Sequence, residues 1–396
     1  MKILLVQPSL NWLMLSAETP SRALLILGTQ AEKQGHTVKI LHLDIEQVPY
    51  ADTLLDFMPD VVGITVNTFQ VQSARNIVKL TRQVIPEAKI VIGGPHAVVW
   101  EEEQKDWADS DKVDKIIVGE GEKAWQEVIG GDYEDTPINY DLVDFSRFTG
   151  IGPLGASPSM AVMASRGCPN QCSFCNTPVF WGKKVRYREP EQVVDEVELL
   201  HRKYGVREIF FQDDTFNLNH KWAFKIFEGI INRGLSKRMV FKIDCRVNEN
   251  LLTEEFLDMA KLAGVWNIFY GVESGSPVML ERMHKNITVP EIKRAFKLTH
   301  ERRIHTQASF IVGLPGETLG TLAETDKLIH DVKPNLYGWC FFCPFPNTEA
   351  TKEVITAGHR RNVDYGDYGY GKVLARTDAL DYTDLECFKG FSYGKG

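Results

Sequence analysis

The chain has 396 residues, of which 43% are hydrophobic and 25% charged, and its net charge is −8. This balance is typical of a folded globular protein that is long enough for two domains. The acidic charge and the lack of a basic stripe argue against a nucleic-acid binder, and no apolar run approaches the roughly 20 residues of a membrane span.

The N-terminal stretch MKILLVQPSL contains an apolar run, but the run is too short for a secretion signal. We interpret it as a first β-strand. The chain has seven cysteines, an odd number. Without a secretion signal, a disulfide framework is not expected. The sequence therefore predicts a cytoplasmic protein without a membrane-spanning part.

Residues 1–135 alternate short runs rich in Val and Ile with helical patterns such as 21–34 and 71–85. The predicted strands read KILLVQP, HTVKILHLD, VVGITVNT, KIVIGGPH and KIIVGEGE. Apolar strands separated by helices predict a parallel sheet covered on both faces. The expected fold of this domain is a doubly wound, Rossmann-like α/β sheet.

These strands end in small or polar residues. Ligands of doubly wound sheets bind at the carboxyl ends of the strands, and glycines there allow close approach of a bulky ligand. An alternative is that the glycines only form tight turns, and Gly119-x-Gly121 lacks the third glycine of a dinucleotide site. The candidate ligand-binding residues are Asn67, Thr68, Gly93, Gly94, Gly119, Glu120 and Gly121.

Residues 136–158 are rich in Asp, Pro, Gly and Ser, which predicts an inter-domain linker. Over residues 159–346, six further strand patterns alternate with helical patterns. Six such units are fewer than the eight of a full barrel, so the sequence predicts a partial (β/α)6 TIM-like barrel. Residues 347–396 have little periodicity and are expected to form a short C-terminal cap, in which Tyr370 and its neighbours could close over the site.

Three of the seven cysteines, Cys168, Cys172 and Cys175, follow the first barrel strand with the spacing C-x3-C-x2-C. A structural zinc site or a ferredoxin cluster takes four protein ligands, so a zinc knuckle here would need a distant Cys or His. Three thiolates on a four-iron cluster leave one iron open to a substrate or cofactor. The spacing favours an open, catalytic metal centre.

The stretch ASRGCPNQCSFC, residues 164–175, strongly resembles the signature of the radical S-adenosylmethionine (SAM) superfamily. The resemblance implies that Cys168, Cys172 and Cys175 bind three irons of a [4Fe–4S] cluster and that SAM chelates the fourth. Reductive cleavage of SAM then yields a 5′-deoxyadenosyl radical, which takes hydrogen from a substrate. Phe174 is implied to lie near the adenine.

Later strand ends resemble other SAM-binding segments of this superfamily. Asp213 is implied to face the SAM amino group or the substrate, although a helix cap is an equal alternative. The polar side chains of GVES are implied to hold the SAM ribose, and the segment FIVGLPGE to pass the adenine. Arg246 is a candidate for the SAM carboxylate or a substrate anion, and an exposed structural arginine is an equal alternative. The implied SAM-binding residues are Phe174, Asp213, Arg246, Glu273, Ser274, Gly313 and Pro315.

An open sheet placed before this barrel resembles the cobalamin (B12)-binding subclass of radical SAM enzymes, over about residues 1–345. In that case the strand-end residues 67–68, 93–94 and 119–121 would surround cobalamin. The D-x-H-x-x-G pattern that supplies a histidine to cobalt is absent. His96 could approach the cofactor or be a solvent-facing turn residue, and the sheet could have lost cobalamin.

The resemblance implies a cobalamin-dependent radical SAM methyltransferase. It would carry a methyl group from SAM through methylcobalamin to an unactivated carbon of a small molecule or peptide. The alternatives are a non-methylating rearrangement, oxidation or cyclisation, and an iron–sulfur sensor without turnover. A methylthiolating enzyme is not expected, since the first 165 residues contain no cysteine. The implied partners are the substrate and an external electron donor such as flavodoxin or ferredoxin.

The remaining cysteines, Cys245, Cys340, Cys343 and Cys387, could donate hydrogen or act as acid–base groups, but simple packing is the favoured interpretation. Because side chains alternate along a strand, Cys340 and Cys343 should point to opposite faces. We therefore expect at most one of the two to face the barrel interior.

Overall fold

The computed structural model describes residues 1–10, 19–46, 48–148, 150, 155–388 and 393–394. The chain divides into two compact units. The first comprises Met1–Gly152 and Asp364–Tyr368, and the second comprises Pro153–Val363 and Gly369–Gly396. The C-terminal region expected over 347–396 therefore contributes residues to both units.

The first unit contains a five-stranded parallel sheet with the strand order β2-β1-β3-β4-β5. The strands are β1 (Lys2–Gln7), β2 (Thr37–His42), β3 (Val61–Thr65), β4 (Lys89–Gly93) and β5 (Lys115–Ile116). Its helices are α1 (Arg22–Lys33), α2 (Leu43–Glu46), α3 (Tyr50–Phe57), α4 (Val71–Val84), α5 (Trp100–Glu103) and α6 (Gly121–Ile129). The order reverses between β1 and β3, so the ligand edge lies at their carboxyl ends. The predicted doubly wound sheet is confirmed.

The helix boundaries follow from capping side chains. Ser21 accepts a hydrogen bond from the Leu24 amide and begins α1, as the sequence predicts. Asn67 and Gln70 form a reciprocal capping box directly after β3. The inner strands are apolar on both faces because helices cover both sides of the sheet.

Part of the segment predicted as a linker is packed against α1. The Asn139 amide donates to Thr29 Oγ1 at 2.9 Å, and Gln30 Nε2 donates to Thr136 Oγ1 at 3.1 Å. Tyr140 and Phe148 are almost completely buried. A composition rich in Asp, Pro and Gly does not reveal two aromatic anchors, which is why the segment resembled a free linker.

The second unit contains six parallel strands in the order β13-β12-β11-β10-β9-β6, with a short antiparallel strand beside β13. The strands are β6 (Ser159–Val162), β7 (Ser165–Arg166), β8 (Arg186–Tyr187), β9 (Glu208–Phe211), β10 (Val240–Cys245), β11 (Val265–Glu273), β12 (His305–Val312), β13 (Leu336–Phe341) and β14 (Tyr393–Gly394). The predicted six-stranded partial barrel is confirmed. The stretch SMAVMASRG, residues 159–167, forms two short strands, because β6 pairs with β9 whereas β7 pairs with β8.

Helices connect the barrel strands, and threonine side chains cap the starts of some of them, for instance Thr253 before α10 and Thr318 before α13. The helices of this unit are α7 (Thr177–Phe180), α8 (Pro190–Tyr204), α9 (His220–Asn232), α10 (Glu254–Leu262), α11 (Pro277–Arg282), α12 (Val289–Glu301), α13 (Leu319–Val332), α14 (Glu349–Thr356) and α15 (Tyr382–Glu386). Across the part of the chain that the structure describes, no helix combines the length and apolar character needed to span a bilayer.

Candidate active site

The three clustered cysteines lie in one loop whose base is the antiparallel ribbon of β7 and β8. All three are half-buried free thiols. One side of the loop is held by the barrel unit: the Ser173 amide donates to the Met283 carbonyl at 3.0 Å, and the Ala350 amide donates to the Ser173 carbonyl at 2.9 Å. Main-chain hydrogen bonds from the second unit therefore hold the loop in place.

Nitrogen donors point at two of the sulfur atoms. Asn170 Nδ2 lies 3.2 Å from Cys168 Sγ, and the Thr177 amide lies 3.4 Å from Cys175 Sγ. Burial raises the pKa of Cys175, and the hydrogen bonds from Thr177 oppose that rise. Donors of this kind favour thiolates and tune iron–sulfur clusters. The donor set therefore fits three thiolate ligands of a cluster.

Among the residues that the structure describes, no group of three His, Cys, Asp or Glu side chains is arranged to hold one metal ion. That finding concerns single ions. In a four-iron cluster each cysteine binds a different iron, so the sulfur atoms need not converge on one point.

Two acidic residues after β9 organise the cysteine loop. Asp213 accepts hydrogen bonds from the Ala164 amide at 3.2 Å and from the Ser165 hydroxyl, and burial raises its pKa to about 7. Asp214 accepts from the Gly167 amide at 3.1 Å and from Thr177 Oγ1 at 2.8 Å. Asp213 and Asp214 therefore bind residues that precede the three cysteines in the sequence and a residue that follows them.

Phe174, Lys285 and Glu273 form a buried group beside the cysteines. Lys285 Nζ lies 2.9 Å from Glu273 Oε1 and 5.7 Å from the centre of the Phe174 ring. The other carboxylate oxygen accepts from Ser309 Oγ at 2.9 Å. The structure thus brings together Phe174 and Glu273, which the sequence predicts as SAM-binding residues. The contacts run through Lys285 and Ser309, which the sequence analysis did not identify.

The other predicted SAM-binding residues have these surroundings. Ser274 is buried and its Oγ lies 3.1 Å from Thr325 Oγ1. Gly313 has φ +86° at the end of β12, and its amide donates to Glu317. The Pro315 carbonyl accepts from Arg282 Nε at 3.1 Å. Arg246 is buried, its Nε donates to Asn248 Oδ1 at 2.9 Å, and its Nη2 donates to the Lys285 carbonyl, so the guanidinium bonds to protein groups on two sides.

Cys340 and Cys343 do not follow the predicted alternation, because β13 ends at Phe341 and Cys343 lies beyond the strand. Cys340 packs with Phe174 in an apolar cluster, and burial raises its pKa to about 12. Burial, together with the charges of Cys343 and Cys340, raises the pKa of Tyr370. Tyr370 thus lies near both thiols within the second unit.

At the ligand edge of the first unit, Thr68 and His96 meet after β3 and β4. Thr68 Oγ1 lies 3.2 Å from His96 Nδ1, and Glu103 Oε1 lies 3.5 Å from His96 Nε2. His96 is fully buried and the Tyr365 ring packs edge-on against it. The solvent-facing interpretation of His96 is wrong, because both ring nitrogens face protein groups.

The predicted glycines at this edge differ in what they require. Gly94 has φ +101°, and an added Cβ would lie 2.6 Å from the Val66 carbonyl oxygen, so its role is a close backbone approach. At Gly93 and Gly121 the nearest atoms to an added Cβ are 3.7 and 3.9 Å away. Gly119 has φ +84° and Glu120 caps α6. A side chain would therefore clash at Gly94, whereas Gly93 and Gly121 have space for a Cβ.

Comparisons with known proteins agree with this geometry. The model of the B12 binding domain matches residues 13–129, and that of the Radical SAM superfamily matches residues 162–329. An uncharacterized methyltransferase of Pyrococcus horikoshii is 30% identical over 394 residues, covering 90% of this chain and 83% of that protein. The anaerobic magnesium-protoporphyrin IX monomethyl ester cyclase of Cereibacter sphaeroides is also 30% identical, over 372 residues, covering 85% of this chain.

The chain spans 59% of the length of that cyclase. Among solved structures, the radical SAM methyltransferase TsrM of Kitasatospora setae superposes with a TM-score of 0.72 at 21% identity, covering 90% of this chain and 76% of TsrM. At this identity the likeness shows the fold. The two matched domains and the methyltransferase relative show that the chain belongs to the B12-binding radical SAM enzymes, whose cofactors are a [4Fe–4S] cluster, SAM and cobalamin.

Proposed function

We propose that the chain is a cobalamin-dependent radical SAM methyltransferase that moves a methyl group from SAM, by way of cobalamin, to an unactivated carbon. The observation that carries the proposal is the loop of three free thiols with nitrogen donors on two sulfurs, in a chain that also has a B12-binding domain. The methyltransferase relative of Pyrococcus horikoshii supports methyl transfer as the outcome.

Within this proposal, the cluster supplies one-electron chemistry and the chain's residues hold and orient the reactants. Cys168, Cys172 and Cys175 would hold the cluster, and the free iron would take SAM. Phe174 would cover one face of the adenine, which is the role implied by its place before the last cysteine. Glu273, held by Lys285 and Ser309, would present its carboxylate to the SAM ribose. The strand-end residues 67–68, 93–94 and 119–121 would surround cobalamin.

We place the protein in the cytoplasm, with a small molecule or peptide as substrate and an external one-electron donor such as flavodoxin or ferredoxin. A nucleic-acid substrate is not expected, because the net charge is −8. A reducing compartment suits the free thiols, which would otherwise oxidise.

A second candidate is a non-methylating reaction such as an oxidation or cyclisation. It is favoured by the similarity to the cyclase of Cereibacter sphaeroides, which is as high in identity as that to the methyltransferase relative. The two candidates differ in the products of SAM, because methyl transfer gives S-adenosylhomocysteine and reductive cleavage alone gives 5′-deoxyadenosine.

The test is anaerobic reconstitution with iron, sulfide, cobalamin, SAM and reductant, followed by mass spectrometry of the SAM products. The proposal expects visible absorbance from both cofactors, and both SAM products. Cys168→Ala, Cys172→Ala and Cys175→Ala should abolish cluster binding and SAM cleavage. Cys387→Ala, a change at an exposed cysteine, is the matched control and should leave both intact.

Two results would contradict the proposal. Persistence of the cluster in any of the three cysteine variants would remove its central assumption. Formation of 5′-deoxyadenosine without methylated cobalamin or S-adenosylhomocysteine would favour the cyclase-type alternative.

A further inference from the structure

The cysteine loop lies in a basic stretch of an acidic chain, which we call the basic island. Residues 163–188 contain Arg166, Lys183, Lys184, Arg186 and Arg188 and no Asp or Glu, whereas the whole chain has a net charge of −8. Carboxylates from other segments offset part of this charge, since Arg188 pairs with Glu196 and Asp214 binds the loop at Gly167 and Thr177. Only the charges that remain exposed can attract an acidic partner.

The three arginines of this island have protein neighbours. Arg188 pairs with Glu196 at 2.7 Å, Arg166 lies 5.2 Å from the centre of the Trp181 ring, and Arg186 donates to the carbonyls of Trp181 and Lys184. These arginines therefore support the β7–β8 ribbon and the segment that leads into β8.

Lys183 and Lys184 are exposed, and over the described ranges neither forms an ion pair with a carboxylate. The exposed positive charge of the island therefore lies in the segment that leads from the cysteine loop into β8. Together with the exposed Pro169, Gln171 and Val179, these lysines form a surface that we call the basic rim.

The basic rim lies on the open side of the cysteine loop. The other side is covered, since Ser173 bonds to the main chain of Met283 and Ala350, and Phe174 packs in an apolar cluster. On the open side, Lys183 Nζ donates to Gln171 Oε1 at 2.8 Å, and Gln171 directly precedes Cys172. A protein that docks on the basic rim therefore contacts the residue that directly precedes Cys172.

We propose that the basic rim is the docking surface for an acidic one-electron donor protein of the flavodoxin type. The inference rests on the proposed function, because a reducible cluster at the thiols is what gives the donor something to reduce. The donor flavin would lose one electron, passing from anionic hydroquinone to neutral semiquinone with its proton retained. The cluster would gain that electron, from the 2+ to the 1+ state, and no bond would form between the proteins.

Charge complementarity favours a small acidic protein over a nucleic acid. Binding of a phosphate backbone depends on many Lys and Arg contacts, and the basic rim offers two exposed lysines beside apolar Pro169 and Val179. Opposite charges around a partly apolar centre steer a transient protein complex and set its orientation.

The test uses the reconstituted enzyme and a bacterial flavodoxin of strong negative charge. The variants are Lys183→Glu with Lys184→Glu, and Lys184→Glu alone, which spares the bond to Gln171. The matched control is Lys221→Glu with Lys225→Glu, two exposed lysines on α9 that give the same change in net charge. Titration calorimetry measures flavodoxin affinity at low and high salt, and SAM cleavage is driven by photoreduced flavodoxin or by dithionite.

The expected result is a loss of flavodoxin affinity of about tenfold or more in the double variant at low salt, shrinking at high salt because salt screens exposed charges. Lys184→Glu should lose part of the affinity and the α9 control none. SAM cleavage driven by flavodoxin should fall in parallel, while cleavage driven by dithionite stays at the wild-type rate.

Wild-type affinity in the double variant, or an equal loss in the α9 control, would overturn the proposal. So would a parallel loss with dithionite, which would make the lysines supports of the loop. Binding of a labelled RNA oligonucleotide that the variants abolish, with flavodoxin binding intact, would assign the rim to nucleic acid. If no variant, wild type included, cleaves SAM, the proposed function fails while calorimetry still reports on docking.

Discussion

At the scale of single residues, the ion pair of Glu273 and Lys285 shows how charge is held inside the second unit. Both side chains are about nine-tenths buried, and Glu273 has a left-handed backbone with φ +68°. A non-glycine residue adopts that conformation when its surroundings determine it strongly. The contacts with Lys285 and Ser309 hold Glu273 in this conformation and fix its carboxylate near Phe174.

Lys285→Met is expected to destabilise the protein by about 3–5 kcal/mol, because it leaves the Glu273 carboxylate buried without its partner. The double variant Lys285→Met with Glu273→Gln removes the uncompensated charge and should recover most of that loss. Urea unfolding of the single and double variants measures the difference. Equal stability of the two would show that Glu273 is not held by Lys285.

A second residue-scale prediction concerns pH. Burial raises the pKa of Glu317 to about 8, and its Oε1 has no hydrogen-bond partner among the residues that the structure describes. The folded protein therefore prefers the protonated form, and this preference adds stability below the ordinary pKa of 4.5. That stability is lost progressively as pH rises from about 4.5 to about 8.

Glu317→Gln keeps an acceptor for the Gly313 amide and cannot ionise. Relative to this variant, the wild type should lose stability on the order of a few kcal/mol between pH 5 and 9. Urea unfolding at pH 5, 7 and 9 provides the measurement. Parallel pH profiles for the two proteins would mean that Glu317 titrates normally in the folded state.

At the scale of elements, the β7–β8 ribbon and the residues after β9 together shape the cysteine loop. Asp213 and Asp214 bind the chain before and after the cysteines, and Gly167 begins the loop with φ +91°. An added Cβ at Gly167 would lie 2.7 Å from the Lys184 carbonyl oxygen. The loop therefore depends on a close approach of two backbones that only glycine permits.

Gly167→Ala should separate the ribbon and remove most of the cluster. Gly182→Ala is the matched control, because Gly182 also has a positive φ but, within the described part of the chain, has no atom within 4 Å of an added Cβ. Both variants carry the left-handed backbone cost of about 1–2 kcal/mol, and Gly167→Ala adds the clash. Iron and sulfide content after reconstitution distinguishes them, and similar content in both would refute the close-approach argument.

At the scale of the whole molecule, the chain returns to its first unit near its C-terminus. The segment Asp364–Tyr368 belongs to that unit, 289 residues from the Arg75 side chain that binds it. Arg75 donates to both oxygens of Asp364 at 2.7 and 2.9 Å, and Tyr365 packs on His96. The fold of the first unit is therefore completed by residues that follow the barrel.

A double-mutant cycle with Arg75→Met and Asp364→Asn should give a coupling energy of about 1 kcal/mol. The bidentate geometry raises the coupling energy of this pair, and solvent screening at the half-exposed Asp364 side chain lowers it. Thermal unfolding of the full chain measures the four proteins of the cycle. Purely additive losses would show that the returning segment is held by other contacts.

Much of the architecture could be predicted because local patterns report local structure. Apolar runs and helical spacing indicated both sheets and the helix within 21–34, whose start Ser21 caps in the structure. Local patterns did not predict the packing of residues 136–148, because Tyr140 and Phe148 are buried by elements distant in the sequence.

By itself the sequence determined the cysteine loop, the succession of strands along the chain and the polar strand ends, since spacing and periodicity are properties of neighbouring residues. The tertiary structure alone decided that Lys285 neutralises Glu273, that Asp213 and Asp214 bind the loop, that His96 is buried, and that residues 364–368 join the first unit. The physical reason is that a buried polar group must find a partner. In a folded chain that partner is chosen by position in space, and sequence spacing does not record it.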